Sequence, residues 1–175
     1  FGRTGTLFAM EQAGVTPDIL CLGKALTSGY MTMSAILTTD KTAEGVCNGT
    51  PGVFMHGPTF MANPLASAVA LAGINLLLDS PFKERVANIE NHFLTALAEC
   101  RNFSQVADVR VKGAIGVVEM TQPVNMEWIE DQFVSKGVWI RPFGKLIYLM
   151  PPYIINDEDL RCLTDAVVQT VAEIR

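Results

Sequence analysis

Across residues 60–78 nearly every side chain is apolar or small. Such a run folds as a helix that is apolar on almost all sides, and a helix of that kind must be buried over most of its surface. It falls short of the roughly 20 uninterrupted apolar residues that cross a bilayer. Other parts of the chain must therefore cover it. With 49% hydrophobic and 18% charged positions among 175 residues, the chain can build one substantial core or two modest ones, and it is too apolar for disorder.

The segments on either side suggest what those layers are. Residues 18–22 (Asp-Ile-Leu-Cys-Leu) form a short apolar run entered from Pro17 and closed by Gly23, which suits a strand buried on both faces. Residues 33–38 are a second strand candidate, and the glycines and prolines across 45–58 predict loop. Pro81 starts a fresh helix in which Val86, Ile89, Phe93, Leu97 and Cys100 make one apolar stripe. The expected domains are 1–80, a connecting helix over 81–102, and a smaller unit over 103–175.

In that smaller unit, residues 106–110 and 114–120 read as strands around Lys112-Gly113. Asn125 caps a helix carrying Met126, Ile129 and Phe133 on one face and stopped by Gly137. Residues 138–141 and 146–150 read as short strands about Pro142-Phe143-Gly144. Asn156 then caps a last helix with Leu160, Leu163, Val167, Val171 and Ile174 inward. The order describes a compact α+β unit.

Several residues stand where chemistry is possible. Lys24 directly follows the first strand, where loss of water would depress its pKa and make the amine a nucleophile. Gly23 beside it would let a flat group approach the backbone. A lysine whose stem packs while its head reaches water fits the same spacing. Gly57-Pro58-Thr59 precedes the apolar helix, and amides with a hydroxyl at a helix start hold anions; an ordinary threonine cap fits equally. His56 has no acidic neighbour in sequence and reads as a loop histidine. Arg141 ends a strand and has the fork that holds a carboxylate, or else a surface ion pair. Tyr148 alternates along the next strand and points either into the same space or into the core.

Three motifs then stand in order: Phe-Gly-Arg-Thr-Gly at 1–5, Pro-Asp-Ile-Leu-Cys-Leu-Gly-Lys-Ala-Leu at 17–26, and Gly-Pro-Thr-Phe-Met-Ala-Asn-Pro-Leu-Ala at 57–66. Together they resemble the class III, fold-type I pyridoxal-phosphate aminotransferases, and the resemblance runs the length of the chain. It implies an α/β fold: a partial large, cofactor-binding domain followed by an α+β C-terminal small domain. It implies pyridoxal 5'-phosphate as cofactor, with Lys24 as the Schiff-base lysine and proton shuttle. Thr59 and the Gly57-Pro58 backbone would bind the cofactor phosphate across the interface of a homodimer. Arg141 would hold a substrate carboxylate in a pocket shaped by Tyr148, Phe143 and Gly57, with Arg3 near the substrate entrance.

Gly-Ala-Ile-Gly-Val-Val-Glu at 113–119 and the run Gly-Val-Trp-Ile-Arg-Pro-Phe-Gly-Lys-Leu-Ile-Tyr-Leu-Met-Pro-Pro-Tyr-Ile-Ile at 137–155 narrow the resemblance. They imply the branch that moves an amino group from S-adenosylmethionine to 8-amino-7-oxononanoate, giving 7,8-diaminononanoate for biotin biosynthesis. Another class III ω-amino acid aminotransferase, or a non-catalytic assembly remnant, are the competing expectations. The family also uses an aspartate that pairs with the pyridine nitrogen, an aromatic residue that stacks on the ring, and glycine-serine phosphate contacts. All lie before the position of Phe1. The chain opens without Met on a turn-like segment, and reads as the C-terminal part of a longer enzyme, inactive by itself.

The remaining composition sets expected absences. A net charge of -5 disfavours nucleic acid and anionic membrane as partners, since both attract basic surfaces. Cys21, Cys47, Cys100 and Cys162 are scattered, without metal-ligand spacing. Reduced thiols of a cytoplasmic protein, with no metal, are the expectation.

Overall fold

The computed structural model describes residues 1–174. It divides into two compact units, Phe1 with Phe8–Pro81, and Gly2–Leu7 with Phe82 onward.

In the first unit a short helix α1 (Ala9–Ala13) ends on Gly14 and leads to β1 (Ile19–Leu22). A 3-10 turn, Lys24–Thr27, follows directly. Strand β2 (Ala35–Thr38) then returns antiparallel to β1, pairing Ile19 with Thr38 and Leu22 with Ala35. Helix α2 (Asp40–Cys47) runs three residues into the segment 45–58 where sequence predicted loop. The Thr39 hydroxyl accepts the Thr42 amide as its N-cap.

Two expectations fail in this unit. Strand β1 is not buried on both faces, because it pairs only with β2 and Ile19 remains 56% exposed. The apolar helix is α3 (Pro64–Leu78), four residues shorter than expected at its start. Pro64 supplies the pre-set first turn, and the Asn63 side chain accepts the Ala66 amide. Nor is α3 buried on most sides: only Ala66 and Ala70 are, while Leu65, Leu71, Leu76 and Leu78 are exposed.

The second unit holds the main core. Helix α4 (Phe82–Ala96) runs into a 3-10 turn, Leu97–Asn102. The stripe expected on a connecting helix is instead integral to this core: Val86, Phe93, Leu97 and Cys100 are fully buried. Strands β3 (Val106–Lys112), β4 (Ile115–Met120) and β5 (Leu146–Leu149) form one antiparallel sheet in that order. Gly116 on β4 lies so close to the α4 face that an added Cβ would stand 2.9 Å from Leu97 and 3.0 Å from Phe93. Helices α5 (Met126–Ser135) and α6 (Asp157–Glu173) are capped by Asn125 and Asn156, each accepting a backbone amide. Ile129, Phe133, Leu160, Val167 and Val171 complete the core, with Leu163 and Ile174 packed at its edge.

Residues 138–141 are extended but form no strand; the one bridge there pairs Phe143 with Leu146. Pro142 explains the difference, since it offers no amide to a ladder. Segment Gly2–Leu7 joins this unit through a backbone bond from the Ala114 amide to the Arg3 carbonyl, 2.9 Å. Gly113, at φ +55, makes that approach possible: a Cβ there would lie 2.7 Å from the Thr4 Cα.

Burial also pushes the Cys100 thiol up to about 11. A folded-state value above the ordinary 9.0 means that the unfolded chain loses its proton first as pH rises. The contribution is complete below pH 9 and is lost on the way to about 11. Denaturation at pH 8, 9.5 and 11 is expected to show a steeper loss of stability in the wild type than in Cys100→Ala. Parallel slopes would refute it.

Candidate active site

Lys24 stands where β1 ends, and its backbone has φ +47. A side chain that long rarely occupies the left-handed region, where it is disfavoured by roughly 1–2 kcal/mol. Gly23 before it is extended, and nothing lies within 4 Å of where its Cβ would stand. The lysine is exposed rather than buried, so the expectation of desolvation by β1 fails. The cause is again the two-stranded sheet, which places no second layer over the strand end. What is buried is the remainder of the turn. Leu26 and Thr27 are 5% and 1% exposed, and the Thr27 hydroxyl donates to the Met31 carbonyl.

Gly57, Pro58 and Thr59 do not open a helix. They belong to a turn in which the Met61 amide donates to the Pro58 carbonyl, 2.8 Å, ahead of α3. The Thr59 hydroxyl therefore does not cap α3, since Asn63 does. Thr59 and Gly57 are exposed and Pro58 is half-buried. His56 is exposed in the same loop, with its ring 5.9 Å from that of Phe54.

In the second unit Arg141 and Tyr148 line one cavity of about 370 Å³. Its walls are Trp139, Ile155 and Leu163 with the Pro151-Pro152 pair. Two alternations bring the polar pair together. Ile140 is buried while Trp139 and Arg141 are exposed on the other side of an extended segment. On β5, Ile147 and Leu149 face the core while Tyr148 is 38% exposed. Phe143, expected to shape this pocket, is 76% exposed and is not among its walls. The Pro142-Phe143-Gly144 turn, with Gly144 at φ +58, carries it outward. Sequence reasoning missed Trp139, although its two-residue spacing from Arg141 in an extended stretch was a usable signal.

Arg3 is not among the walls of this cavity, but it bonds to one of them. Its guanidinium donates to the Pro151 carbonyl at 2.6 Å and to the Ala114 carbonyl at 3.4 Å. It also lies over the Tyr153 ring, 4.6 Å from the centroid. Burial pushes the Tyr153 hydroxyl up, and the Arg3 charge opposes this. A larger cavity of about 710 Å³, between Gln105, Trp128 and Glu173, contains none of the sequence-predicted residues. Its size does not make it the site, because neither a lysine nor an arginine lines it.

Comparisons with known proteins agree with the motif order. The family model for aminotransferase class III matches residues 1–171. An adenosylmethionine-8-amino-7-oxononanoate aminotransferase from Buchnera aphidicola is 52% identical over 167 residues, covering 95% of this chain and 39% of that protein. The crystal structure of the enzyme of that name from Methanocaldococcus jannaschii superposes with a TM-score of 0.86 at 29% identity, over 99% of this chain and 43% of the other. An (S)-enantioselective omega-transaminase from Thermomicrobium roseum gives 0.87 at 32% identity, over 99% and 41%. The chain thus spans about two-fifths of the length of the proteins it matches. The fold is that of the corresponding part of fold-type I aminotransferases. With its family model matched almost from end to end, the chain belongs to the class III aminotransferases.

Proposed function

We propose that this chain is the C-terminal part of a homodimeric aminotransferase that moves the amino group of S-adenosylmethionine to 8-amino-7-oxononanoate. The observation that carries the reading is 52% identity, over 95% of the chain, to a protein named for that donor and acceptor. The large side chains left exposed on α3 and the β1–β2 pair support a second copy, or further chain, as their cover.

The cofactor would be pyridoxal 5'-phosphate, and the residues present fit it. An aldehyde cofactor requires a reachable primary amine with space for a flat ring beside it. Lys24 is exposed, and it pairs with no carboxylate among the described residues. The Gly23 backbone beside it is open. When bound, the cofactor supplies the electron sink for bond breaking at the amino-bearing carbon.

Each residue of this chain then has a task. The Lys24 amine would hold the cofactor, and it would carry the proton to and from the substrate carbon. The Thr59 hydroxyl and the backbone of Gly57 and Pro58 would hold the phosphate, acting on the partner copy's site. Arg141 would receive the carboxylate of the amino-oxononanoate in bidentate fashion, with the Tyr148 hydroxyl beside it and Trp139 and Leu163 excluding water from the alkyl chain. Phe143 would join this wall only in the assembled enzyme, and Arg3 would act from the rim of the site.

A second reading is favoured by one specific observation. The Thermomicrobium omega-transaminase superposes as well as the Methanocaldococcus enzyme does, so the fold does not separate donors. The donor half-reaction does. The complete enzyme mixed with S-adenosylmethionine is expected to lose its cofactor–lysine absorbance, while simple ω-amines leave it unchanged. Bleaching by simple amines alone would overturn the S-adenosylmethionine assignment in favour of the other class III activities.

A further inference from the structure

Resting on the assignment of Lys24 above, we propose that Gly73 of α3 is a positioning residue that sets where the lysine turn stands. The buried residues of the first unit, among those described, are Leu26 and Thr27 on the turn and Ala66 and Ala70 on α3. Its small core is therefore the seat of the lysine turn. Residues 66, 70 and 73 follow each other at helical spacing, and so share one face of α3. Each of the three is glycine or alanine. That face lets the backbone of the turn approach closely, at the position the chemistry depends on.

Gly73 is the tightest point of the approach. A Cβ built there would collide with the Ser28 Oγ, and would lie 3.4 Å from the Ser28 Cβ and 3.9 Å from the Leu26 carbonyl oxygen. Ser28 is the residue that ends the turn, held at φ +52 with its amide donating to the Ala25 carbonyl. Three residues separate it from Lys24, itself at φ +47. Two such residues at the ends of one turn persist only if the surroundings over-determine the backbone. The α3 face is the surface against which this happens. A side chain at 73 pushes on Ser28, and the displaced turn carries the lysine with it.

The size of the intruding group sets the size of the effect. With alanine, rotation of the Ser28 hydroxyl relieves the worst contact, and the 3.4 Å one that remains is an ordinary van der Waals contact, so the turn stays nearly in place. With valine, the γ-methyls extend toward the Ser28 Cβ and the turn backbone, and rotation of the hydroxyl does not clear them. A role confined to α3 predicts instead that Gly73→Val alters the melting temperature alone and leaves the reaction of the lysine as fast as in the wild type.

The test uses the complete enzyme freed of cofactor and then mixed with pyridoxal 5'-phosphate. The rate of borohydride-reducible attachment to Lys24, the pH midpoint of the resulting visible absorbance, and the melting temperature are followed together. Attachment is expected to stay near the wild-type rate in Gly73→Ala and to slow about 100-fold in Gly73→Val, the scale of an ångström's misplacement at a reacting group. The absorbance midpoint should move in Gly73→Val alone, with the melting temperature of Gly73→Ala held or raised. Ser28→Gly removes the side-chain atoms in the way and suits the φ of that position, so Ser28→Gly with Gly73→Val should regain part of the lost rate. Wild-type rate and midpoint in Gly73→Val overturn the proposal. So does a valine variant whose rate Ser28→Gly does not raise. If Gly73→Val fails to fold, Gly73→Ser, whose Oγ extends one atom beyond the Cβ, decides by the same comparison with and without Ser28→Gly. A wild-type enzyme that attaches nothing to Lys24 sinks the assignment of Lys24 instead.

Discussion

Lys24→Ala in the complete enzyme is expected to lower turnover by about 10²- to 10⁴-fold, the range for removing a positioned proton-transfer group. Covalent attachment of the cofactor should be lost as well. Lys24→Arg is expected to fail to the same degree. It keeps the charge and most of the stem, but its guanidinium stays protonated and does not form the bond. This pair separates the proposal from its structural alternative, a lysine whose stem packs and whose head is hydrated. In that case arginine would serve nearly as well as lysine. The position argues against a packing role. Lys24 is exposed at φ +47, and a strained residue with a free head is costly unless its placement is used.

Arg141→Ala should lower kcat/KM for the keto-acid acceptor by about 10- to 100-fold, with most of the change in KM. This follows from a hydrogen bond to a charged group worth about 1.5–3 kcal/mol, where each 1.4 kcal/mol or so is tenfold. Arg141→Lys recovers only part, because a point charge replaces a planar fork. Acceptors without a carboxylate should be almost unaffected. The cavity supports this division of labour, since Arg141 and Tyr148 are polar and the rest of the wall is largely apolar. Equal losses for acceptors with and without the carboxylate would show that Arg141 only maintains the fold.

Much of the second unit was legible because its signals are local. Asn125 and Asn156 cap the helices that follow them, and the stripe of α4 faces a core. The first unit was read less well, for physical reasons. The apolar content of β1 and α3 predicts burial, but burial needs a covering layer, and Ile19, Leu71 and Leu76 have none within their unit. Helix α2 runs into the predicted loop as far as Cys47 because a single glycine, Gly45, is tolerated inside a helix. The apolar run begins at Phe60 and so predicts a helix opening at Thr59, whereas Asn63-Pro64 decides the start.

The site residues divide in the same way. Arg141 with Tyr148 followed from alternation along two extended segments. The place of Lys24 after a strand and the surrounding motifs single it out, but they predict a buried lysine and it is exposed. The bonds of Arg3 to carbonyls 111 and 148 residues away had no local signal at all. The same holds for Gly73, whose meaning appears only when Ser28 is seen against it.

If the cofactor is held on the Lys24 amine, borohydride reduction of the complete enzyme with pyridoxal 5'-phosphate, followed by peptide mass spectrometry, is expected to yield one reduced pyridoxyl group per chain, on Lys24. The group on another lysine, or none on folded enzyme at saturating cofactor, would refute that attachment.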